Sequence, residues 1–194
     1  MARPSNAAVR RREIADALGR LLPKVGFAGA STKAIAREAG LSPGLVHHHF
    51  GAKIDILVAV VGAMAEGLAA RRTAVEGSAR ERVYGHISAW LDPGAGADGG
   101  AVACWAAIGA EAALHPEVAA VYRSAVAGQV DALAADLAEA APGRSGVEAR
   151  ALAAMVHASI EGAFRLHASA PGVIPEGSAG RVVRGLVDGW LEGA

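Results

Sequence analysis

Cysteine is almost missing from this 194-residue chain: Cys104 stands alone, which excludes an intrachain disulfide and a cysteine-built zinc site. Aromatic residues are few, three Trp, two Tyr and three Phe, so the core must be filled by small and aliphatic side chains and helices are expected to pack closely. No uninterrupted apolar run nears the roughly 18 residues of a membrane-spanning helix. The basic, amphipathic N-terminus has no secretory apolar segment, so a cytoplasmic protein with no membrane partner is expected. Strand patterns are scarce too. Helical periodicity is nearly continuous, interrupted only by Gly, Pro and Asp, and it predicts an all-α chain of about nine helices.

Charge is unevenly spread behind a formal net charge of zero. Residues 1–53 hold nine Lys/Arg against three acids, and residues 54–194 hold ten against sixteen, so the first part is +6 and the rest −6. Lys24, Lys33 and Lys53, the only lysines, all lie in the first part. A basic third on an acidic body predicts an anionic partner for the N-terminus alone. Within it, Arg10, Arg11 and Arg12 either face solvent along a helix or reach phosphates as an arm.

Apolar residues from Val9 to Val25 recur at helical spacing, and Gly26 stops this first helix. A short second helix covers 32–39, with Ser31 or Thr32 as its cap and Gly40 closing it. Ser42 caps a third, which has Pro43 at its first position and ends in His47, His48 and His49. Residues 32–50 fit a helix-turn-helix. Ala36 is small where the helices cross, and Ile35, Ala39, Leu41, Val46 and Phe50 fall on the inner face. Pro43, Gly44, His47 and His48 fall on the outer face, as in a helix that enters the major groove. Three successive histidines point about 100° apart on a helix, so they do not converge on one metal ion. No metal, cofactor or catalytic residue is expected.

The stretch ASTKAIAREAGLSPGLVHHHFGAKIDIL resembles the DNA-binding domain of the TetR family of one-component repressors, over residues 8–58 or so. The resemblance implies DNA contacts from Thr32, Lys33, Ser42, Pro43, Gly44, Leu45, His47, His48 and Lys53. Position 47 and Lys53 would meet phosphates, and Leu45 would meet a thymine methyl. The family's usual residue at position 47 is tyrosine; here it is histidine. Residues 1–53 would form the DNA-binding domain, and 54–194 a helical domain for ligand binding and dimerisation.

Residues 103–123 and 159–171 are similar to the choline-responsive, BetI-like branch of that family. Large side chains in an otherwise small-residue helical box mark a candidate effector pocket: Trp105, Ile108, Tyr122, Met155 and Phe164, with Glu111 and Glu161 as polar anchors. A carboxylate beside tryptophan would suit a cation, and a quaternary ammonium compound is one expected class. The same groups would otherwise serve as ordinary core and surface. Stripes on the last two helices predict a homodimer interface that includes Ile160, Phe164, Val183, Leu186, Val187, Gly189 and Trp190.

The expected function is a homodimeric transcriptional repressor that binds an inverted repeat in double-stranded DNA and is released by a small-molecule effector. Two alternatives stand beside it. One is a ligand-independent DNA-binding regulator, activator or nucleoid-associated protein. The other is an all-α enzyme using the C-terminal box, where His157 and Glu161, or Glu161 and Arg165, lie one turn apart.

Overall fold

Two glycines set the corners of the N-terminal helices. Gly26 (φ 67°) breaks α1 (Asn6–Gly29) one turn after Pro23, which has no N–H to give the helix. The expected stop is therefore a break, after which helical backbone resumes for the last residues to Gly29. Gly40 (φ 68°) ends α2 (Thr32–Ala39); its N–H reaches Ala36 O and Arg37 O, and Leu41 N–H reaches Ala36 O at 2.9 Å. The last carbonyls of α2 are thus satisfied by a left-handed cap. Then follow α3 (Pro43–His49), α4 (Lys53–Thr73), α5 (Ala79–Leu91), α6 (Gly99–Ala112), α7 (Pro116–Ala140), α8 (Gly146–Ser169) and α9 (Ser178–Glu192).

The structure, a computed structural model, describes residues 6–73, 77–92 and 99–193, with backbone only at 71–73. Most of the loop expected at 92–100 lies outside the described residues. Among those described there is no strand, and no helix is long and apolar enough to cross a membrane.

The chain forms two compact units: Met1–Glu66 with Ala103–Ala125, and Gly67–Val102 with Val126–Ala194. The first unit runs through the start of α4 to Glu66 and takes in Ala103–Ala125. The head of this unit packs α1 on α2 and α3, and α2 on α3. Its core includes Ile14, Leu18, Leu22, Ile35, Ala36, Val46, Phe50 and Leu57, all nearly inaccessible to solvent. In the second unit α5, α8 and α9 pack against one another around Val83, Ile87, Ile160, Val183 and Val187. Ser78 with Glu81, and Ser145 with Glu148, form reciprocal capping boxes that start α5 and α8.

Candidate nucleic-acid interface

Sequence fixes both ends of α3. Ser42 Oγ accepts the Leu45 N–H at 3.2 Å, and Pro43 occupies the first helical position, where a missing N–H costs nothing. At the other end Phe50 is buried, and its N–H closes on Val46 O at 2.9 Å. Val46 is also buried, so the opposite side of α3 faces solvent: Ser42, Pro43, Gly44, His47 and His48 are exposed, while Leu45 and His49 are half-buried. The His48 and His49 rings meet edge-on, 5.2 Å apart. On α2, Lys33 is exposed and Thr32 half-buried. Eight of the nine residues implied as DNA contacts thus sit on or beside this short helix and the start of α2.

Lys53, the ninth, is anchored within the first unit. Its Nζ donates to Phe27 O at 2.6 Å and lies 4.1 Å from the centre of the Phe27 ring. Only the remaining ammonium protons are free to meet a phosphate. Phe27 in turn touches the His115 ring edge-on at 5.7 Å, and His115 Nε2 lies 3.4 Å from Glu111.

The arginines of α1 divide in a way the sequence did not disclose. Arg10 pairs with Glu13 at 2.7 Å, Arg12 with Asp16 at 3.2 Å, and Arg20 with Glu38 at 2.7 Å. The Arg20 hydrogen bond holds the Glu38 carboxyl below its usual range. These three pairs use every acid in residues 1–53. Arg11 instead donates to His49 O and lies over the Phe50 ring at 4.0 Å. Its partners are almost forty positions away in the chain, so no local spacing could have revealed the contact.

The effector candidates fall into two sets. In the first unit Trp105 and Ile108 are buried, and Trp105 stacks at a tilt on Tyr122 with centroids 5.1 Å apart. Gly109 leaves room for the Tyr122 hydroxyl, and Glu111 is half-buried beside His115. In the second unit Phe164 is buried against Trp90 at 5.3 Å, Glu161 lies 3.4 Å from the buried His157, and Met155 is 65% exposed. Of the seven, only Phe164 lines a described cavity. This cavity of about 320 Å³ in the second unit is walled by Trp90, Phe164, Ile174 and Pro175, with Asp92, His167 and Glu176 at polar positions. Asp92 is tied to Arg184 at 2.7 Å, whereas Glu176 is exposed. Cys104 is buried, and burial pushes its thiol up to about 12.

The interface candidates divide by register. Ile160, Phe164, Val183 and Val187 are interior to the protomer. Leu186 is 60% exposed, Gly189 is exposed and Trp190 is half-buried under the Arg144 guanidinium. The large apolar groups that α8 and α9 leave in water are Val147, Met155, Leu166, Val182 and Leu186.

A helix-turn-helix with a polar, capped outer helix is the arrangement of a DNA-binding regulator. Residues 14–60 match the family described as bacterial regulatory proteins, tetR family, and residues 79–192 match the BetI-type transcriptional repressor C-terminal family. The chain belongs to the TetR family of bacterial transcriptional regulators. The HTH-type transcriptional regulator BetI of Rhizobium meliloti is 42% identical over 53 residues, which are 27% of this chain and 26% of that protein. A BetI of Chromohalobacter salexigens is 36% identical over 72 residues, 35% of each chain. The alignments thus span about a quarter to a third of these relatives' length. A solved transcriptional regulator from Rhodococcus sp. Rha1 superposes with a TM-score of 0.83 at 26% identity, over 95% of this chain and 97% of that one. A transcriptional regulator from Saccharomonospora viridis, solved in complex with choline, shares the fold with a TM-score of 0.73 at 22% identity, over 94% and 95% of the two chains.

Proposed function

We propose that this protein is an operator-binding repressor that works as a homodimer and leaves DNA when a small molecule binds. The observation that carries the reading is α3: a helix capped at both ends whose exposed face is Pro43, Gly44, His47 and His48, on a head with six more cations than anions. Selection of duplexes from a random pool tests it. The expected outcome is one enriched inverted repeat, its half-sites about 10 base pairs apart to match successive major grooves. Recovery of no enriched sequence would overturn it.

The dimer would form through the exposed apolar side chains of α8 and α9, Met155, Val182 and Leu186, with Gly185 and Gly189 allowing close approach. Leu186→Glu is expected to sediment as a folded monomer and to lose the operator. An unchanged dimer would refute this surface.

For the effector, a small cation of the choline class is the reading supported by the BetI-type match and by the choline-bound neighbour. Trp90, Phe164 and Glu176 offer two aromatic walls and a carboxylate for such a group. Calorimetric titration of choline into the protein is the test, with Phe164→Ala and Trp105→Ala as variants. Loss with Phe164→Ala alone supports the second-unit cavity, loss with Trp105→Ala alone moves the site to the Trp105–Tyr122 pair, and no heat with wild type rejects the choline class. Lys53, Phe27 and His115 form a run of contacts in the first unit through which a shift of the α6–α7 corner would reach the start of α4.

A further inference from the structure

We infer that Arg11 is a positioning residue for α3: it fixes the angle of the reading helix and so supports sequence-specific binding without touching DNA. The inference rests on the DNA-binding reading above. With seven residues, α3 is far too short to hold its own shape, so its direction depends on what grips its ends. Ser42 grips the first turn. At the other end the final carbonyls lack helical partners, and one of them, His49 O, takes a hydrogen bond from Arg11 Nη1. The same guanidinium lies over the ring of Phe50, 4.0 Å from its centre; Phe50 ends α3 and is itself buried. One side chain from α1 therefore holds both the last carbonyl and the terminal ring. The exposed rings of His47 and His48 precede that carbonyl by two residues and one residue, so loosening it would let them swing.

The neighbours of Arg11 on α1 explain why it is the one that reaches across. Arg10 and Arg12 have acids one turn ahead, Glu13 and Asp16, and pair with them. Arg11 has Ile14 and Ala15 at those positions and Ala7 and Ala8 one turn behind. With no carboxylate one turn ahead or behind on its own face of α1, its fork is free for the carbonyl, and a guanidinium that bonds a carbonyl while lying over a ring is a combination that a lysine would not reproduce.

A phosphate contact and a positioning contact differ in their salt signature. Each neutralised phosphate adds about 0.9 to the slope of log affinity against log salt, on any sequence. A positioning residue changes affinity for the preferred sequence and leaves that slope alone. The experiment uses the duplex enriched by wild type and a scrambled duplex of equal composition, with binding followed by fluorescence anisotropy at several salt concentrations. Arg11→Met and Arg11→Lys are compared with wild type, and circular dichroism checks the fold of each.

For both variants the expected result is about a tenfold or greater loss on the enriched duplex, the scale of a lost charge-assisted hydrogen bond, with the scrambled duplex and the salt slope unchanged. The Arg11→Lys variant keeps the charge and an aliphatic stem, and tests the inference should Arg11→Met fail to fold. Equal weakening on both duplexes with a slope lowered by about one unit, restored by lysine, would make Arg11 a phosphate contact and overturn the inference. Wild-type affinity on the enriched duplex for both variants would overturn it as well. Failure of wild type to enrich any sequence would defeat the DNA-binding reading itself, and this inference with it.

Discussion

Arg80, Arg82 and Arg184 of the second unit and Arg11 and Lys53 of the head are held by different means. In the second unit Arg184 clamps Asp92, Arg82 bonds Asp136 at 2.8 Å and also meets Glu139, and Arg80 bonds Asp188. Each of these arginines is neutralised by the group that orders it. In the head the three available acids are used on Arg10, Arg12 and Arg20, while Arg11 and Lys53 are ordered by carbonyl dipoles and aromatic faces. A carbonyl or a ring fixes a cation without cancelling its charge. The head thus gains rigidity while its positive potential remains available to a polyanion, whereas carboxylates offset the charge of Arg80, Arg82 and Arg184 as they order them.

Removing Lys53 should break this arrangement most severely, because that ammonium is both a fastener and part of the field. Lys53→Ala is expected to lose about tenfold or more in affinity on every duplex, with a salt slope smaller by about one. It should also destabilise the protein by ~2 kcal/mol, since a charged hydrogen bond and a cation–ring contact disappear together. A melt identical to wild type would show that the Phe27 contact contributes nothing. Arg184→Met in the second unit is the counterpart, and should cost stability while leaving DNA affinity per folded molecule unchanged.

Next in size is Gly180. It is buried on α9, and a methyl group there would collide with the Asp92 carboxylate that Arg184 holds. Gly180→Ala should cost ~1–3 kcal/mol, the range for overpacking a rigid site. Gly40 provides the contrast in the head. A methyl there meets nothing within 4 Å, so only its left-handed backbone (φ 68°) opposes substitution. Gly40→Ala should cost ~1–2 kcal/mol, and Gly40→Asn less. Urea midpoints check both; an equal cost for alanine and asparagine at position 40 would mean that the backbone is not the cause.

The helix-turn-helix was legible because its signals are local. A cap, a Pro after it, a left-handed glycine and an inner face at helical spacing all lie between Ser31 and Phe50, and the exposed and buried sides of α3 fall as the spacing predicts. The starts of α5 and α8 rest on equally local signals, the capping boxes at Ser78 and Ser145. Contacts between distant segments were not. Nothing near Lys53 points to Phe27 O, and nothing near Arg11 points to His49 O. On α8 and α9, amphipathic periodicity gives a direction around a helix and not the identity of its neighbour. A residue such as Val183 reads alike whether it meets its own chain or another, and the structure places it inside the protomer. The effector candidates were chosen for bulk among small residues. Bulk marks core as readily as pocket, and Trp105 and Ile108 are fully packed.

The smallest effect expected is also the one that separates the two fastening schemes by chemistry. Carboxylates titrate and carbonyls do not. In the second unit the Arg184 hydrogen bond holds the Asp92 carboxyl below its ordinary value, and the Tyr84 hydroxyl, followed by Arg80, does the same for Asp188. A carboxyl depressed in the folded state contributes stability that is complete above its unfolded value, about 3.9 for aspartate. That contribution fades as pH falls through about 4 and below. Asp92→Asn should therefore be less stable than wild type at pH 7 and pH 5, and the gap should narrow toward pH 3, as the carboxyl of the unfolded chain takes up its proton. Arg11→Met should instead be destabilised by the same amount at all three values, because its partners are a carbonyl and a ring. Urea midpoints at the three pH values decide the matter. If the Asp92→Asn gap does not narrow, the Arg184 pair is not what depresses that carboxyl. If the Arg11→Met gap narrows in step with it, the grip on α3 depends on a titrating group, and the contrast between head and second unit dissolves.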